Sequence, residues 1–102
     1  MKNNDFLLIK KSLKNGLVLR VFWKGANYGY IADYFYKNNK IYSYTYDPKG
    51  LAIPFIERDI SLNYFIERIK EVFKKEADEF KIIELSKSKI NESLSILELE
   101  TI

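Results

Sequence analysis

The chain contains no cysteine and no histidine. Without cysteine there is no disulfide and no thiolate chemistry. Without histidine the commonest general base and the commonest metal ligand are missing too. This inventory excludes zinc sites and Ser–His or Cys–His nucleophiles, and it leaves only oxygen-ligand metals and carboxylate or lysine chemistry.

Glycine is also scarce, and its four residues are scattered along the chain. They are Gly16, Gly25, Gly29 and Gly50. A phosphate-binding loop or a dinucleotide-binding motif needs several glycines at short, fixed spacing. The sequence therefore predicts neither kind of nucleotide site.

The acidic residues do not form a recognisable site. Glu57, Arg58 and Asp59 stand together, but they offer fewer oxygen ligands than a hard cation requires. A second acidic cluster, at 76–79, falls on a predicted helix, where its members point in different directions. We therefore predict that the protein is not an enzyme and holds no metal and no cofactor.

Long apolar runs are absent as well. The first apolar stretch covers residues 6–9 and is followed at once by Lys10 and Lys11. It is too short for a signal-peptide core or a membrane span. We therefore expect a cytoplasmic protein that has no membrane partner.

The composition that remains is that of a small globular domain. Of the 102 residues, 47% are hydrophobic, 30% are charged and 16% are aromatic. Residues 1–50 contain nine Lys or Arg and three Asp, whereas residues 51–102 contain eight Lys or Arg and eleven Asp or Glu. The surface should therefore have a positive and a negative part. The positive charge of the first part is smaller than we expect of a protein dedicated to binding duplex nucleic acid.

A helix is predicted near the N-terminus. It would be capped by Asn4 or Asp5 and would stop at Gly16, with apolar residues at helical spacing between them. The alternative is a hairpin, because Asn15-Gly16 is also a strong two-residue turn signal.

Four β-rich segments follow, at residues 17–23, 28–36, 41–46 and 51–56. Pro54 lies in the fourth segment and confines it to a sheet edge, because proline cannot donate a hydrogen bond to a neighbouring strand. Since the connections are short, neighbouring strands should be antiparallel.

The surest predicted element is an amphipathic helix over residues 62–80, with an extension to 85 as the alternative. For residues 86–102 the pattern does not decide between a short helix, a strand and a tail. We predict an α+β fold in which an antiparallel meander of three to four strands packs against this long helix, beside a short N-terminal helix. Residues 1–85 would form the domain and 86–102 a C-terminal extension.

Tyrosines alternate along the second and third strands, so each strand places its set on one face. The sets are Tyr28, Tyr30, Tyr34 and Tyr36, and Tyr42, Tyr44 and Tyr46. A two-residue turn at Asn38-Asn39 would pair Tyr36 with Ile41 and put the two sets on opposite faces. A three-residue turn would pair Tyr36 with Tyr42 and line one face with all seven tyrosines.

This aromatic surface predicts a binding function. Our first interpretation is an inhibitor or immunity-type protein that engages a protein partner, because Tyr and Trp are enriched at binding hot spots. A homodimer contact is also compatible with such a face. The alternative is single-stranded nucleic acid, whose bases would stack on the tyrosines beside Lys and Arg. The candidate binding residues are Arg20, Trp23, Lys24, Tyr28, Tyr30, Tyr34, Tyr36, Tyr42 and Tyr44.

The segment Asp59-Ile60-Ser61-Leu62-Asn63 leads from the predicted strands into the long helix. In this respect the chain resembles the single-strand-binding transcriptional cofactors, which run four strands and then a helix. The resemblance implies nucleic-acid binding, although the basic loop of that family has no clear counterpart here.

Overall fold

The computed structural model describes residues 3–25, 29–46 and 52–99. Within them, an N-terminal helix precedes four strands, a long helix, a fifth strand and a final helix. The elements are α1 (Asn3–Lys14), β1 (Val18–Trp23), β2 (Tyr30–Lys37), β3 (Lys40–Tyr46), β4 (Ala52–Arg58), α2 (Leu62–Glu76), β5 (Ala77–Ile83), a 3-10 turn (Leu85–Lys87) and α3 (Ile90–Leu99). The predicted fold class is confirmed: an antiparallel sheet packs against a long helix in the C-terminal half and a helix at the N-terminus.

The five strands form one antiparallel sheet in the order β4-β3-β2-β1-β5. β4 lies at an edge, as Pro54 predicted. Tyr44 pairs with Asp33 on one side and Pro54 on the other. Lys37 and Lys40 flank the hairpin turn as a hydrogen-bonded pair, and hydrogen-bonded pairs recur at every second position along two antiparallel strands. Tyr44 and Asp33 form such a pair, so the backbone N–H and C=O of Tyr44 point towards Asp33. The nitrogen of Pro54 therefore points to the outer edge, where it offers no donor.

The β2–β3 hairpin closes through a two-residue turn. Asn38 and Asn39 both have positive φ, at 52° and 58°, which asparagine tolerates better than most residues. Tyr36 consequently pairs with Ile41. Of the two registers considered, this one places the β2 and β3 tyrosines on opposite faces of the sheet.

The long helix was predicted to run to residue 80, but it ends at Glu76. Its start agrees with the prediction, because the Ser61 hydroxyl accepts a hydrogen bond from the Tyr64 N–H at 3.1 Å. After it, Ala77 is extended, with ψ 131°, and opens β5 along β1. The prediction was wrong at this end because β1 would otherwise leave a row of backbone groups unpaired, and β5 satisfies them.

Helices cover both faces of the sheet. On the first, here called the α1/α2 face, Phe6, Phe65 and Phe73 pack on Leu19 and Val21 in the larger core. On the second, here called the α3 face, a smaller core forms. It contains Val18, Phe35, Tyr42 and Ile90. In the described ranges, no helix has the length and apolarity that crossing a membrane would take.

Candidate functional site

The candidate residues from the sequence fall on two faces, because of the two-residue hairpin turn. Trp23, Tyr30, Tyr34 and Tyr36 belong to the α1/α2 face. Arg20, Tyr42 and Tyr44 belong to the α3 face. Lys24 is exposed just beyond β1, and Tyr28 lies outside the described residues. The set therefore does not make one continuous surface.

Three of these residues come together on the α1/α2 face. Trp23, Tyr30 and Tyr34 form the floor of an open cleft of about 270 Å³. One flank of α2 forms its wall, through Arg68, Val72 and Glu76. These wall residues recur every fourth position, which is the spacing that places side chains on one side of a helix. We call this cleft the α2 groove.

The three floor residues differ in how much of their side chain is exposed to the groove. The Trp23 ring lies 6.4 Å from the Tyr30 ring in a stacked arrangement and meets Phe73 edge-on at 5.2 Å. Only 7% of Trp23 is exposed, so it serves mainly as part of the core. Tyr30 and Tyr34 are half-buried and present ring surface to the groove.

The polar atoms of the floor are incompletely satisfied. The indole N–H of Trp23 is buried and has no hydrogen-bond partner among the described residues. Burial raises the pKa of Tyr34 to about 12, and the nearby Trp23 N–H offsets part of that rise. Tyr34 therefore stays neutral at physiological pH and keeps a hydroxyl that can donate a hydrogen bond.

The raised pKa of Tyr34 predicts a loss of stability in strong alkali. The folded state holds this proton more tightly than the unfolded chain, whose tyrosines titrate near 10. The contribution of the neutral phenol is therefore complete below pH 10 and is lost as the pH rises towards about 12. Tyrosinate absorbance and urea unfolding across this range should show one fewer late-titrating tyrosine in Tyr34→Phe than in the wild type. If that variant titrates as the wild type does, the assignment is wrong.

An ion pair closes one side of the groove. Arg68 of α2 donates two hydrogen bonds to Glu57 of β4, at 2.8 and 2.7 Å. The Arg68 guanidinium also lies over the rings of Phe65 and Tyr64, 5.7 and 5.8 Å from their centroids. Hydrogen bonding from Arg68 lowers the pKa of Glu57. Both side chains remain more than a third exposed, so the pair positions α2 over β4 more than it stabilises the fold.

Exposed apolar side chains occur in the groove wall and elsewhere on α2 and the sheet. Val72 is 38% exposed and Tyr64 is 60% exposed on α2. On the sheet, Phe55 is 58% exposed, in the cross-strand row that leads through Ser43 to Tyr34. On this side of the molecule, α2 and the sheet therefore carry exposed aromatic and aliphatic side chains, as surfaces that bind another macromolecule often do.

On the α3 face, Asp33 lies at the centre of a buried polar network. Its carboxylate is fully buried and accepts hydrogen bonds from Arg20 at 2.8 and 2.9 Å. It also accepts one from the Tyr46 hydroxyl, at 3.0 Å, and one from the Ser88 hydroxyl, at 2.7 Å. The Lys89 N–H donates in turn to the Tyr46 oxygen, at 3.1 Å.

This network joins β1, β2 and β3 to the segment that precedes α3. The bond to Asp33 raises the pKa of Arg20, and burial is the main cause of the raised pKa of Tyr46. Because Asp33 has no exposed surface, its carboxylate cannot reach a substrate in this conformation. We assign the network a structural role, which is to hold α3 against the sheet.

The α3-face tyrosines are not free for binding in the way the sequence suggested. Tyr42 is 1% exposed and packs on Phe35, with ring centroids 6.1 Å apart. Tyr44 is half-buried, and its ring lies 4.8 Å from that of Tyr46. Tyr42 is thus a core residue, as tyrosines on a two-sided sheet commonly are.

The sequence did not lead us to the residues that complete the α2 groove and the Asp33 network. Asp33 had a signal, since it is a charge in the middle of a strand and lies one strand away from Arg20, a charge of opposite sign. The groove-forming roles of Val72 and Glu76 had no comparable signal, because they depend on how α2 crosses the sheet.

Within residues 3–25, 29–46 and 52–99, no three acidic side chains group closely enough to hold a metal ion. No protein-family model, no curated protein and no solved structure matches this chain.

Proposed function

We propose that this protein is a non-enzymatic binding protein, of the inhibitor or immunity type, that engages a protein partner through the α2 groove. One observation carries the proposal: an aromatic floor and an α2 wall form an open groove in which Val72 is 38% exposed, while Tyr64 on α2 and Phe55 on β4 add exposed rings at 60% and 58%. Aromatic residues in a groove with an apolar border are the usual anchors of a protein interface.

We expect the partner to insert side chains into the groove rather than to add a strand along the β4 edge of the sheet. Strand addition uses the backbone donors and acceptors of a sheet edge. On β4, Pro54 removes a donor from the middle of that edge. A partner is therefore held by side chains that enter the groove, over Tyr30, Tyr34 and Val72.

Single-stranded nucleic acid, the alternative, has less support. A stacking platform of seven tyrosines requires the β2 and β3 sets on one face, and the register separates them. Tyr42 also lies beneath α3. In addition, Arg68 at the groove is already paired with Glu57, and Glu76 adds a second acidic group, so the groove does not attract phosphates.

The test is capture of a partner from nuclease-treated lysate of the cells that make the protein. Wild type should retain a defined protein, Val72→Arg should lose it, and Leu8→Arg should keep it. Leu8 is a matched control because it is a 50% exposed apolar residue on another helix. Retention by both variants, or loss only with Leu8→Arg, would refute the proposed surface. Salt-sensitive binding to labelled poly-dT by the wild type, abolished in Tyr34→Ala, would favour the alternative.

A further inference from the structure

We infer that the Glu76 end of the α2 groove is a pocket for an arginine side chain of the protein partner. The inference rests on the proposed function and specifies the chemistry of the partner. Three features of this end of the groove favour an organic cation.

The first feature is the aromatic floor. Tyr30 is half-buried beside Trp23, with the two rings stacked at 6.4 Å, and both residues line the cleft. The face of an aromatic ring carries partial negative charge and attracts a cation within about 6 Å. The Glu76 end of the groove therefore offers ring surface suited to a cationic group.

The second feature is the carboxylate of Glu76. It is exposed at the rim of the cleft, and it makes no ion pair with another described residue. Among the described residues, the one cation that lines the cleft is Arg68, which lies two helical turns away and is held by Glu57 at 2.7 Å. With Arg68 paired to Glu57, the Glu76 carboxylate is the charge left unpaired among the described residues that line the cleft.

The third feature is the end of α2. The helix terminates at Glu76, and its last carbonyl groups give this end a partial negative charge. The Glu76 carbonyl oxygen accepts a hydrogen bond from the Lys24 N–H at 2.7 Å, which fixes the helix end beside the end of β1. The helix end, the carboxylate and the aromatic floor are therefore held close together.

Arginine fits this combination better than lysine. A guanidinium is planar, stacks on aromatic rings and can form two parallel hydrogen bonds to one carboxylate. The same chemistry occurs within the chain, where the Arg68 guanidinium lies over the Phe65 ring and binds Glu57 with two hydrogen bonds. We therefore assign the occupant as an arginine rather than a lysine.

The experiment uses the protein's single tryptophan, Trp23, which lies in the floor and reports on the pocket by its fluorescence. The full chain is titrated at constant ionic strength with N-acetyl-arginine amide, with the lysine and glutamate amides as comparison probes. We expect saturable binding of the arginine amide in the millimolar range, and weaker or no response to the other two. Glu76→Gln should weaken binding roughly two- to fivefold, in keeping with the loss of one exposed ion pair while the ring contact remains.

Glu71→Gln is the matched control, since Glu71 is an exposed carboxylate on the same helix that does not line the cleft. It should bind the arginine amide as the wild type does. No saturable response, an equal loss in both glutamine variants, or equal binding of the lysine amide would overturn the inference. If the partner is captured through the groove but Glu76→Gln leaves its affinity unchanged, the inference fails while the proposed function stands.

Discussion

Replacing Asp33 with alanine should lower the free energy of unfolding by about 3 kcal/mol or more. The substitution removes the acceptor for Arg20, Tyr46 and Ser88 and leaves their donors facing a buried space. Arg20 keeps 25% of its side chain exposed, so water can solvate part of its charge. The loss should therefore lie near the lower end of the range of about 3–5 kcal/mol that is typical when one partner of a buried ion pair is removed. Urea unfolding followed by circular dichroism gives the difference directly.

Two further variants define the origin of that loss. Asp33→Asn keeps the shape of the side chain but removes its charge, so it should fall between wild type and Asp33→Ala. Glu79→Ala removes an exposed carboxylate from another strand and should stay within about 0.5 kcal/mol of wild type. A loss below about 1 kcal/mol for Asp33→Ala would show that the network does not hold the α3 face together.

Ending the chain after Leu85 should have the second large effect. It removes Ile90, which is fully buried in the smaller core, and the Ser88 hydroxyl that donates to Asp33. Loss of one buried isoleucine side chain alone costs about 2–5 kcal/mol, and the whole stability of a domain this size is about 5–15 kcal/mol. The shortened chain should therefore unfold at much lower urea, or lose cooperative unfolding and near-ultraviolet circular dichroism.

This truncation also tests the predicted division into a domain of residues 1–85 and an extension. Ile90→Ala in the full chain provides a milder comparison, which should remain folded with reduced stability. Cooperative unfolding of the truncated chain at the wild-type urea concentration would show that α3 is dispensable. In that case the division drawn from the sequence would be correct.

The sequence predicted the elements whose signals are local. Ser61 begins α2 through its own side chain, and Pro54 could be accommodated only at a sheet edge. The hairpin register was narrowed to two alternatives, and tolerance of positive φ at Asn38 and Asn39 favours the one that forms. These features depend on residues close together in the chain.

The features that were missed depend on distant residues. Phe80 continues the helical spacing of α2, but it also alternates with Ile82 along an extended strand. The second pattern prevails because Val21 and Leu19 of β1 lie opposite these two residues. Docking of α3 likewise depends on Ser88 meeting Asp33, 55 residues away in the chain.

The candidate site was also predictable only in part, because some of its residues are brought together from distant parts of the chain. Tyr30 and Tyr34 were named from strand alternation and Trp23 from its residue type, and the groove brings the three together. The grouping of Val72 and Glu76 with them required knowing which flank of α2 faces the open half of the sheet. Tyr42 was misplaced because α3, which buries it, was not predicted as an element.

The most direct test of the central claim is photo-crosslinking in the cells that make the protein. A benzophenone amino acid is placed at Val72, in the groove wall, or at Leu8, an exposed position on α1. The proposed function predicts a discrete crosslinked protein from position 72 and none from position 8. Crosslinking from position 8 alone, equal crosslinking from both positions, or none from either would contradict the assignment of the α2 groove as the protein-binding surface.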